Sequence, residues 1–403
     1  MRIFIHTMYF LPEFGSAPIL MNELAEGLAE RGHAVEVITT LPRAPRARAY
    51  AGRFLLKEPR SGFFARRILT NSTKHHFGRL LAWSIYTLYT MVRLARVRKG
   101  DVVFLRLPPL QLGVTGVLAR YLRGARVMLN VQDIHPDLSI ESGLLRNKLA
   151  IRAALGFERW IYDRHATIVV ISEGFKRNLV AKGVPAAKIA VLPNWVDTDF
   201  LRPLPKTNPV AARLGLAGEF VLMYSGTISI SSYDTLVRIL DAAALLKDEP
   251  GLKFVIVGEG FKADDLQAEA ARRRLPNVVF LPFQPYRDLP GMLAGADVLL
   301  VPLDKEKSLL SVPSKLYSFM SAGRPIFGLA HRESEVFQII GDVGCGRCAP
   351  PDDPTAIAAA VRGLRADPEA RAAMGGRGRE YALANVSRRA VIGAFEALMR
   401  EMP

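Results

Sequence analysis

Two runs of alternating apolar strands and amphipathic helices most constrain how this chain of 403 residues can fold. The first run has predicted strands at 3–5, 35–38, 102–105, 126–130 and 167–171, and predicted helices at 18–31, 113–122 and 149–165. The second run has predicted strands at 220–225, 253–257, 278–281 and 298–301. Such alternation is typical of parallel sheets covered by helices on both faces. The sequence therefore predicts two doubly wound α/β domains.

The proline-rich stretch from Pro193 to Pro209 predicts a hinge between these domains. We expect one domain at residues 1–198 and a second at residues 199–387, with a cleft between them. A final helix within residues 388–403 is long enough to pack back on the first domain.

Residues 311–325 predict a phosphate site at the start of a helix. Ser311 is a suitable N-cap, Pro313 fits a first turn, and Gly323 marks the end of the helix. The first N–H groups of a helix lack internal partners, and Lys315 adds a full positive charge beside them. Because the segment follows an apolar strand, it lies at the sheet edge where open α/β folds bind ligands. The alternative is a helix capped for stability that carries an exposed lysine.

Several loops that follow strand ends carry small residues suited to a ligand. Glycine at such a position lets the backbone approach a ligand without an intervening Cβ, although glycines also occur in purely structural turns. Together with the 311–325 segment, these loops indicate a nucleotide diphosphate site. The candidate contacts are Gly226, Thr227, Gly258, Phe283, Pro313, Ser314 and Lys315 in the second domain, and Gly15 and Ser16 in the first.

Asp133 and His135 follow the predicted strand at 126–130, so two titratable groups lie at the carboxyl end of a strand. The pair is a candidate for acid–base chemistry. The alternatives are a structural histidine and a proline, Pro136, that only ends the strand.

The segment from Arg43 to Lys99 is strongly basic, with fourteen Lys or Arg residues against one acidic residue. Aromatic residues are interleaved, and the longest uncharged run is shorter than the roughly 20 residues that a membrane span needs. A core helix with solvated basic ends is one interpretation, and no nucleic-acid-binding motif supports nucleic acid as a partner. The other interpretation is an element lying on an anionic membrane surface. Its expected contacts are Arg79, Trp83, Tyr86, Arg93 and Arg96.

Cys345 and Cys348 form a lone Cys-x-x-Cys pair, and the amino terminus shows no signal peptide. Without a second cysteine pair, two reduced thiols are favoured over a zinc site. Both observations fit a cytosolic location.

These motifs resemble the family 4 glycosyltransferases, which have the GT-B fold of two Rossmann-like domains and retain the anomeric configuration. The matching segments are 9–15, 24–33, 191–197, 256–260 and 292–302. Within the family, the chain is most similar to the branch of bacterial fucosamine transferases of polysaccharide assembly. The segments that match this branch are 9–18, 133–136 and 312–315.

The resemblance implies a retaining glycosyltransferase of the hexosyl or N-acetylhexosaminyl type. The second domain would bind a nucleotide diphosphate sugar, with a UDP-sugar favoured, and the first would bind a lipid-pyrophosphate-linked or saccharide acceptor. Lys315 would stabilise the leaving diphosphate without a metal or cofactor, Asp133 and His135 would be catalytic candidates, and Glu13 would lie on the acceptor side. The implied setting is bacterial surface polysaccharide assembly, at the inner face of the plasma membrane.

The chain departs from the family at positions that usually contact the donor. The family's Glu-x7-Glu pair falls on Leu310 and Ser318, and its first-loop Arg and Lys fall on Thr227 and Ser232. Ser318 stays a candidate donor contact, as does Glu335, which matches a later family glutamate. The missing carboxylates leave two alternatives open, namely a nucleotide-sugar-binding pseudoenzyme and a sugar-nucleotide epimerase of the same architecture.

Overall fold

The chain divides into two compact units, of which the first comprises Met1–Asn194 with Val391–Pro403 and the second comprises Trp195–Ala390. The structure is a computed structural model, and it describes residues 1–13, 15–42, 50, 52–70, 76–141, 143–303 and 312–403.

The first unit is built on one eight-stranded sheet. Its strands are β1 (Arg2–His6), β2 (Ala34–Thr40), β3 (Leu55–Arg60), β4 (Phe63–Ile68), β5 (Val102–Leu107), β6 (Arg126–Val131), β7 (Thr167–Val170) and β8 (Ile189–Val191). The strand order is β3-β4-β2-β1-β5-β6-β7-β8, and every neighbouring pair is parallel except β3 and β4. The predicted strands are confirmed. The hairpin β3–β4 was not predicted, because its charged residues belong to the segment interpreted above as a membrane element.

The second unit is built on a six-stranded sheet that is parallel throughout. Its strands are β9 (Phe220–Ser225), β10 (Leu252–Val257), β11 (Val278–Leu281), β12 (Val298–Pro302), β13 (Ile326–Leu329) and β14 (Gly346–Ala349). Their order is β11-β10-β9-β12-β13-β14. Successive residues of β9 point alternately into two hydrophobic cores, one on each face of the sheet. Val221 and Met223 belong to one buried cluster and Leu222 and Tyr224 to the other, as a sheet covered on both faces requires.

Helices cover the faces of both sheets. In chain order they are α1 (Ser16–Glu30), α2 (His76–Arg93), α3 (Leu112–Arg123), α4 (Asp137–Glu141), α5 (Lys148–Arg164), α6 (Glu173–Ala181), α7 (Pro209–Arg213), α8 (Ile230–Leu245), α9 (Ala263–Arg272), α10 (Leu289–Ala294), α11 (Lys315–Ser321), α12 (Glu335–Val343), α13 (Pro354–Ala366), α14 (Pro368–Asn385) and α15 (Arg388–Glu401). Among the described residues, no helix combines the length and the apolar character that crossing a bilayer requires.

Most of the final helix, α15, belongs to the first unit. Phe395 packs edge-on against Phe104 of β5, with 5.8 Å between the ring centroids. The Glu396 carboxylate lies 3.1 Å from Arg31 and 2.9 Å from the His33 ring. Aromatic packing and a shared carboxylate therefore fix the carboxyl end of the chain to the amino-terminal sheet.

Each sheet has a point at which its strand order reverses. In the first unit this point lies between β1 and β5, and in the second it lies between β9 and β12. The loops at the carboxyl ends of such strands diverge and leave a crevice, which is where open α/β folds bind ligands. The two switch points therefore define where each unit is expected to hold a substrate.

Candidate functional site

Lys315 begins α11, just beyond β12 at the switch point of the second sheet. The helix starts later than the sequence predicts, since the carbonyl of Pro313 accepts the N–H of Leu316 at 2.9 Å and this bond tightens the chain into a 3₁₀-type turn before the helix. Ser311, the expected N-cap, lies outside the described residues. The predicted end of the helix is confirmed, because Gly323 adopts a left-handed conformation with φ 68°.

The ammonium of Lys315 fills a space that a glycine leaves open. A Cβ on Gly226 would lie 2.4 Å from Nζ of Lys315, so any side chain there would displace the ammonium. The ammonium also lies over the ring of Tyr224, 4.2 Å from its centroid, and the Tyr224 hydroxyl donates to the Thr227 carbonyl at 2.8 Å. We call Lys315, Gly226 and Tyr224 the lysine site. The sequence had not indicated Tyr224, which reads as one more apolar residue of its strand.

The described residues supply no negative charge to balance the ammonium of the lysine site. No carboxylate in the described parts of the chain forms an ion pair with Lys315, and burial lowers its pKa to about 8. Burial also raises the pKa of Tyr224 to about 12, so that ring stays neutral. A partly desolvated ammonium without a counter-charge favours a ligand that carries negative charge.

The two glycine loops beside the lysine site pack backbone against backbone. A Cβ on Gly258 would lie 1.9 Å from the Gly226 carbonyl oxygen, and one on Gly260 would lie 2.3 Å from the Ile228 carbonyl oxygen. The Ile228 N–H donates to the Glu259 carbonyl at 2.9 Å. Because Gly258 has no Cβ, the loop of Gly226 can pack directly against it. This packing explains the glycine at position 258 without any ligand contact.

The remaining donor candidates differ in their exposure and in their hydrogen bonds. Phe283 is exposed in the loop after β11, and Pro313 and Ser314 are partly exposed before α11. The Ser318 hydroxyl donates to the carbonyl of Ser314, within its own helix. Leu310, the other position of the family's carboxylate pair, lies outside the described residues.

Glu335 lies at the start of the helix that follows β13. It is the first residue of α12 and is buried. Burial raises the pKa of Tyr317 and of Tyr381, and the charge of Glu335 contributes to both shifts. The described charges that act on Lys315 do not include Glu335. Its contact with sugar or ribose therefore stays a prediction.

In the first unit, the start of α1 is an open helix terminus. Gly15 is its N-cap residue, with φ 117°, and no side chain caps this end. Gly15 and Ser16 are exposed. Glu13 precedes them and is partly buried, and its N–H donates to the Phe10 carbonyl at 3.1 Å. The backbone groups at this end are accessible, and the ligand that they bind stays a prediction.

The loop after β6 places Asp133 and His135 beside the first turns of α2. The ring of His135 meets Trp83 edge-on at 6.3 Å, and the Arg79 guanidinium lies over the Trp83 ring at 5.6 Å. Burial lowers the pKa of His135, Asp133 raises it and Arg79 lowers it, so the ring is neutral at pH 7. Asp133 itself is exposed. The structure thus joins two predicted catalytic residues to two residues predicted to contact a membrane.

A fifth residue of this group, Arg106, was missed at the sequence level. It is the charged residue in the otherwise apolar strand β5 and is 7% exposed. Burial lowers its pKa, while the charges of Asp133 and Tyr9 raise it, so both residues act electrostatically on the guanidinium. One charge within an apolar strand is the signal that could have revealed it, because arginine is almost never buried without a reason. We call Arg79, Trp83, Arg106, Asp133 and His135 the first-unit cluster.

The prediction that Tyr86 contacts a membrane is wrong. Tyr86 is 0% exposed, and its hydroxyl donates to the Ile38 carbonyl at 2.7 Å, because its stripe of α2 faces the sheet. Arg93 and Arg96 lie 3.4 Å and 3.6 Å from the Glu36 carboxylate, which they share with Arg66. Two of the expected lipid-binding cations are therefore already paired within the unit.

The outward face of α2 is apolar. Leu81, Leu88 and Val92 are 49%, 61% and 70% exposed, and their spacing of seven and four residues places them on one stripe. On the β3–β4 hairpin, Phe64 is exposed and the Lys57 ammonium lies over its ring at 3.9 Å. The first unit thus presents exposed apolar side chains close to basic ones.

The two cysteines are free thiols. Burial raises the pKa of Cys345 to about 11 and that of Cys348 to about 12, which makes both unreactive at neutral pH. Within the described ranges, no group of three or more His, Cys, Asp or Glu residues is arranged to bind a metal ion.

Two family models match the chain, one in each half. Residues 17–195 match the model described as a glycosyl transferase 4-like domain, and residues 219–367 match the model described as glycosyl transferases group 1. The strands and helices that carry the lysine site and the first-unit cluster fall within these matches.

Individual proteins give the same result. The chain is 27% identical over 375 residues to a protein of Escherichia coli (strain K12) provisionally named as the colanic acid biosynthesis glycosyl transferase WcaI. The matched region is 90% of this chain and 91% of WcaI. It is 28% identical over 273 residues to the protein provisionally named glycosyltransferase WbjE of Pseudomonas aeruginosa, covering 67% and 68% of the two chains. The crystal structure of Anabaena Alr3699/HepE in complex with UDP superposes with a TM-score of 0.74 at 14% identity, over 100% of both chains. The predicted GT-B fold of two Rossmann-like domains is confirmed.

Proposed function

Since the chain belongs to the glycosyltransferases with a family 4-like amino-terminal domain, we propose that it transfers a sugar from a nucleotide diphosphate sugar to an acceptor in bacterial surface polysaccharide assembly. The observation that carries this proposal is the lysine site, a partly desolvated ammonium at the switch point of the second sheet for which the described residues supply no counter-charge. A diphosphate supplies the missing negative charge.

The proposed role of Lys315 is to stabilise the diphosphate as it leaves the sugar. Charge develops on this group in the transition state, and a cation already held in a desolvated site stabilises it without reorganisation. A UDP-sugar is the favoured donor, a choice supported by the fold shared with HepE, whose structure contains UDP. We place the base near the exposed ring of Phe283 and the phosphates at Lys315 and Gly226. The proposed mechanism retains the anomeric configuration and uses neither a metal nor a cofactor, in keeping with the family resemblance.

The proposed acceptor site is the first-unit cluster. Asp133 is exposed and acts electrostatically on His135, so it can orient an acceptor hydroxyl or take its proton. His135 is neutral at pH 7 and can donate or accept a hydrogen bond. The acceptor is a saccharide, linked to a lipid pyrophosphate, and the transferred unit is a hexose or an N-acetylhexosamine.

The proposed location is the inner face of the plasma membrane, as a peripheral protein. The surface that supports it is the apolar stripe of Leu81, Leu88 and Val92, which replaces the earlier assignment to Tyr86. The basic charge of this segment complements anionic lipid. We expect Leu88→Gln with Val92→Gln to reduce co-sedimentation with anionic vesicles. The matched control is Leu122→Gln on α3, which is 71% exposed. Equal binding by all the variants would contradict this surface.

Turnover of the donor tests the activity directly. The full-length protein is incubated with UDP-glucose and UDP-N-acetylglucosamine, with and without a lipid-linked acceptor, and the release of free UDP is measured. Thermal shift with UDP, GDP and UMP identifies the base and the need for a second phosphate, because a ligand of the native state raises the melting temperature. UDP release that the acceptor accelerates supports the transferase. Binding without turnover favours a pseudoenzyme. Conversion of either UDP-sugar into its own epimer, with no acceptor present, favours an epimerase.

A further inference from the structure

Arg106 is a buried cation at the switch point of the first sheet, and the described residues offer it neither a hydrogen bond nor an ion pair. It lies near the carboxyl end of β5, the strand next to β1, and is 7% exposed. Its Nε has no hydrogen-bond partner. Within the described part of the chain, its guanidinium forms no ion pair or hydrogen bond with another residue.

A second buried arginine in the same unit shows what a structural role looks like. Arg67 is fully buried, and its guanidinium donates to the Glu58 carboxylate at 2.6 Å and to the Thr40 carbonyl at 3.1 Å. A buried charge is tolerated when it is paired and hydrogen-bonded in this way. The described residues give Arg106 no such partners, so they do not account for a buried charge at this position.

The surroundings of Arg106 point to an anionic ligand. Asp133 and Tyr9 act on it electrostatically; Tyr9 lies on the loop after β1, a strand of the switch point, and Asp133 lies on the loop after the neighbouring strand β6. Arg79, whose guanidinium lies over the Trp83 ring, adds a second positive charge near the same loop. A guanidinium presents a planar set of donors that matches the oxygens of a phosphate.

We infer that Arg106 binds a phosphate group of the acceptor, an inference that rests on the proposed function. The chemistry recognised is a phosphate ester, and two sources provide it: the head group of a lipid diphosphate and the phosphate of a soluble sugar phosphate. Arg106 is a binding residue for the acceptor, in a unit separate from the lysine site.

Isothermal titration with inorganic pyrophosphate tests this inference on the full-length protein. The titrations use a Lys315→Met background, which removes the other anion site. We expect Arg106→Met to weaken pyrophosphate binding by about 10- to 150-fold, the range of one charge-assisted contact, and Arg106→Lys to weaken it less. The matched control is Arg152→Gln, which removes one exposed charge from the same unit and should leave the affinity unchanged.

Thermal melting separates ligand binding from a structural role. Removing an unpartnered buried charge should leave the Tm of the ligand-free protein unchanged or raise it. The inference is overturned if Arg106→Met binds pyrophosphate as the parent does. It is also overturned if Arg106→Met lowers the Tm while Arg106→Lys restores both the Tm and the affinity, since that pattern belongs to a structural cation.

The same titration with geranyl diphosphate and with glucose 6-phosphate distinguishes the two sources. Tighter, Arg106-dependent binding of geranyl diphosphate supports a lipid-linked acceptor. Tighter, Arg106-dependent binding of glucose 6-phosphate supports the arginine site and contradicts the lipid-linked acceptor. Failure of the proposed function gives a different result, because UDP-sugar turnover would be absent while pyrophosphate binding still depended on Arg106.

Discussion

The lysine site and the first-unit cluster solve a similar problem with different chemistry. Each places a cation without an ion-pair partner, as far as the described residues show, at the switch point of a parallel sheet. The ammonium of Lys315 occupies the space that the missing Cβ of Gly226 leaves open, and it lies over the ring of Tyr224. Arg106 belongs to strand β5, and its side chain is buried. The lysine charge is therefore adjustable near neutral pH, whereas the arginine charge is permanent.

Removing the lysine charge should have the largest effect. We expect Lys315→Ala to abolish transfer and to weaken UDP binding by about 10- to 150-fold, since one charge-assisted contact is worth about 1.5–3 kcal/mol. UMP binding should change less, because it lacks the second phosphate. Titration calorimetry with both nucleotides measures the difference. Equal weakening of the two would place Lys315 away from the second phosphate.

Filling the space beside the ammonium should have the next largest effect. A Cβ on Gly226 meets the flexible end of Lys315, so Gly226→Ala should weaken UDP binding by about tenfold, and the φ of 157° at this position should also lower the Tm. Gly258→Ala meets backbone and should lower the Tm clearly. Gly156→Ala, with open space around its position in α5, is the control that should leave UDP binding unchanged and raise the Tm slightly, because alanine favours a helix over glycine. If Gly226→Ala binds UDP normally, the glycine has no part in placing the ammonium.

The pH dependence of binding should separate the two sites. In the free protein Lys315 has a pKa of about 8, and a bound diphosphate raises this pKa because it favours the charged form. UDP affinity should therefore fall by about tenfold per pH unit above pH 8, until the pKa of the complex is reached. Geranyl diphosphate binding in the Lys315→Met background should stay constant from pH 8 to 10, because arginine keeps its proton and a diphosphate ester, unlike inorganic pyrophosphate, has no proton left to lose above pH 8. Parallel slopes for both ligands would show that one site binds both.

Replacing the Asp133 carboxylate should affect turnover alone, and by the least. We expect Asp133→Asn to lower kcat by about tenfold, the loss of one contact worth about 1.5 kcal/mol, while leaving UDP affinity unchanged. The effect stays modest if the donor phosphate takes the acceptor proton. Steady-state kinetics and UDP titration measure the two quantities separately. Unchanged kcat would remove Asp133 from the mechanism, and lost UDP affinity would assign it to the donor.

The faces of α2 show why part of the site could not be predicted. Its sequence is apolar on both sides, with Tyr86 and Ala82 on one and Leu81, Leu88 and Val92 on the other. Hydrophobic periodicity identifies the buried face only when the opposite face is polar. The segment was therefore recognised as a helix with basic ends, but Tyr86 was assigned to the surface when it lies in the core.

By itself, the sequence determined the alternation of strands and helices, the ends of most strands, and the place of Lys315 beyond one of them. These are local properties, set by apolar periodicity and by glycine and proline at turns. Only the tertiary structure decided that Gly226 makes room for Lys315, that Trp83 meets His135, and that Arg106 is buried with no ion pair or hydrogen bond from the residues that the structure describes. The physical reason is that each of these facts depends on packing between elements far apart in the chain, where burial and the number of available partners set the energy of a charge.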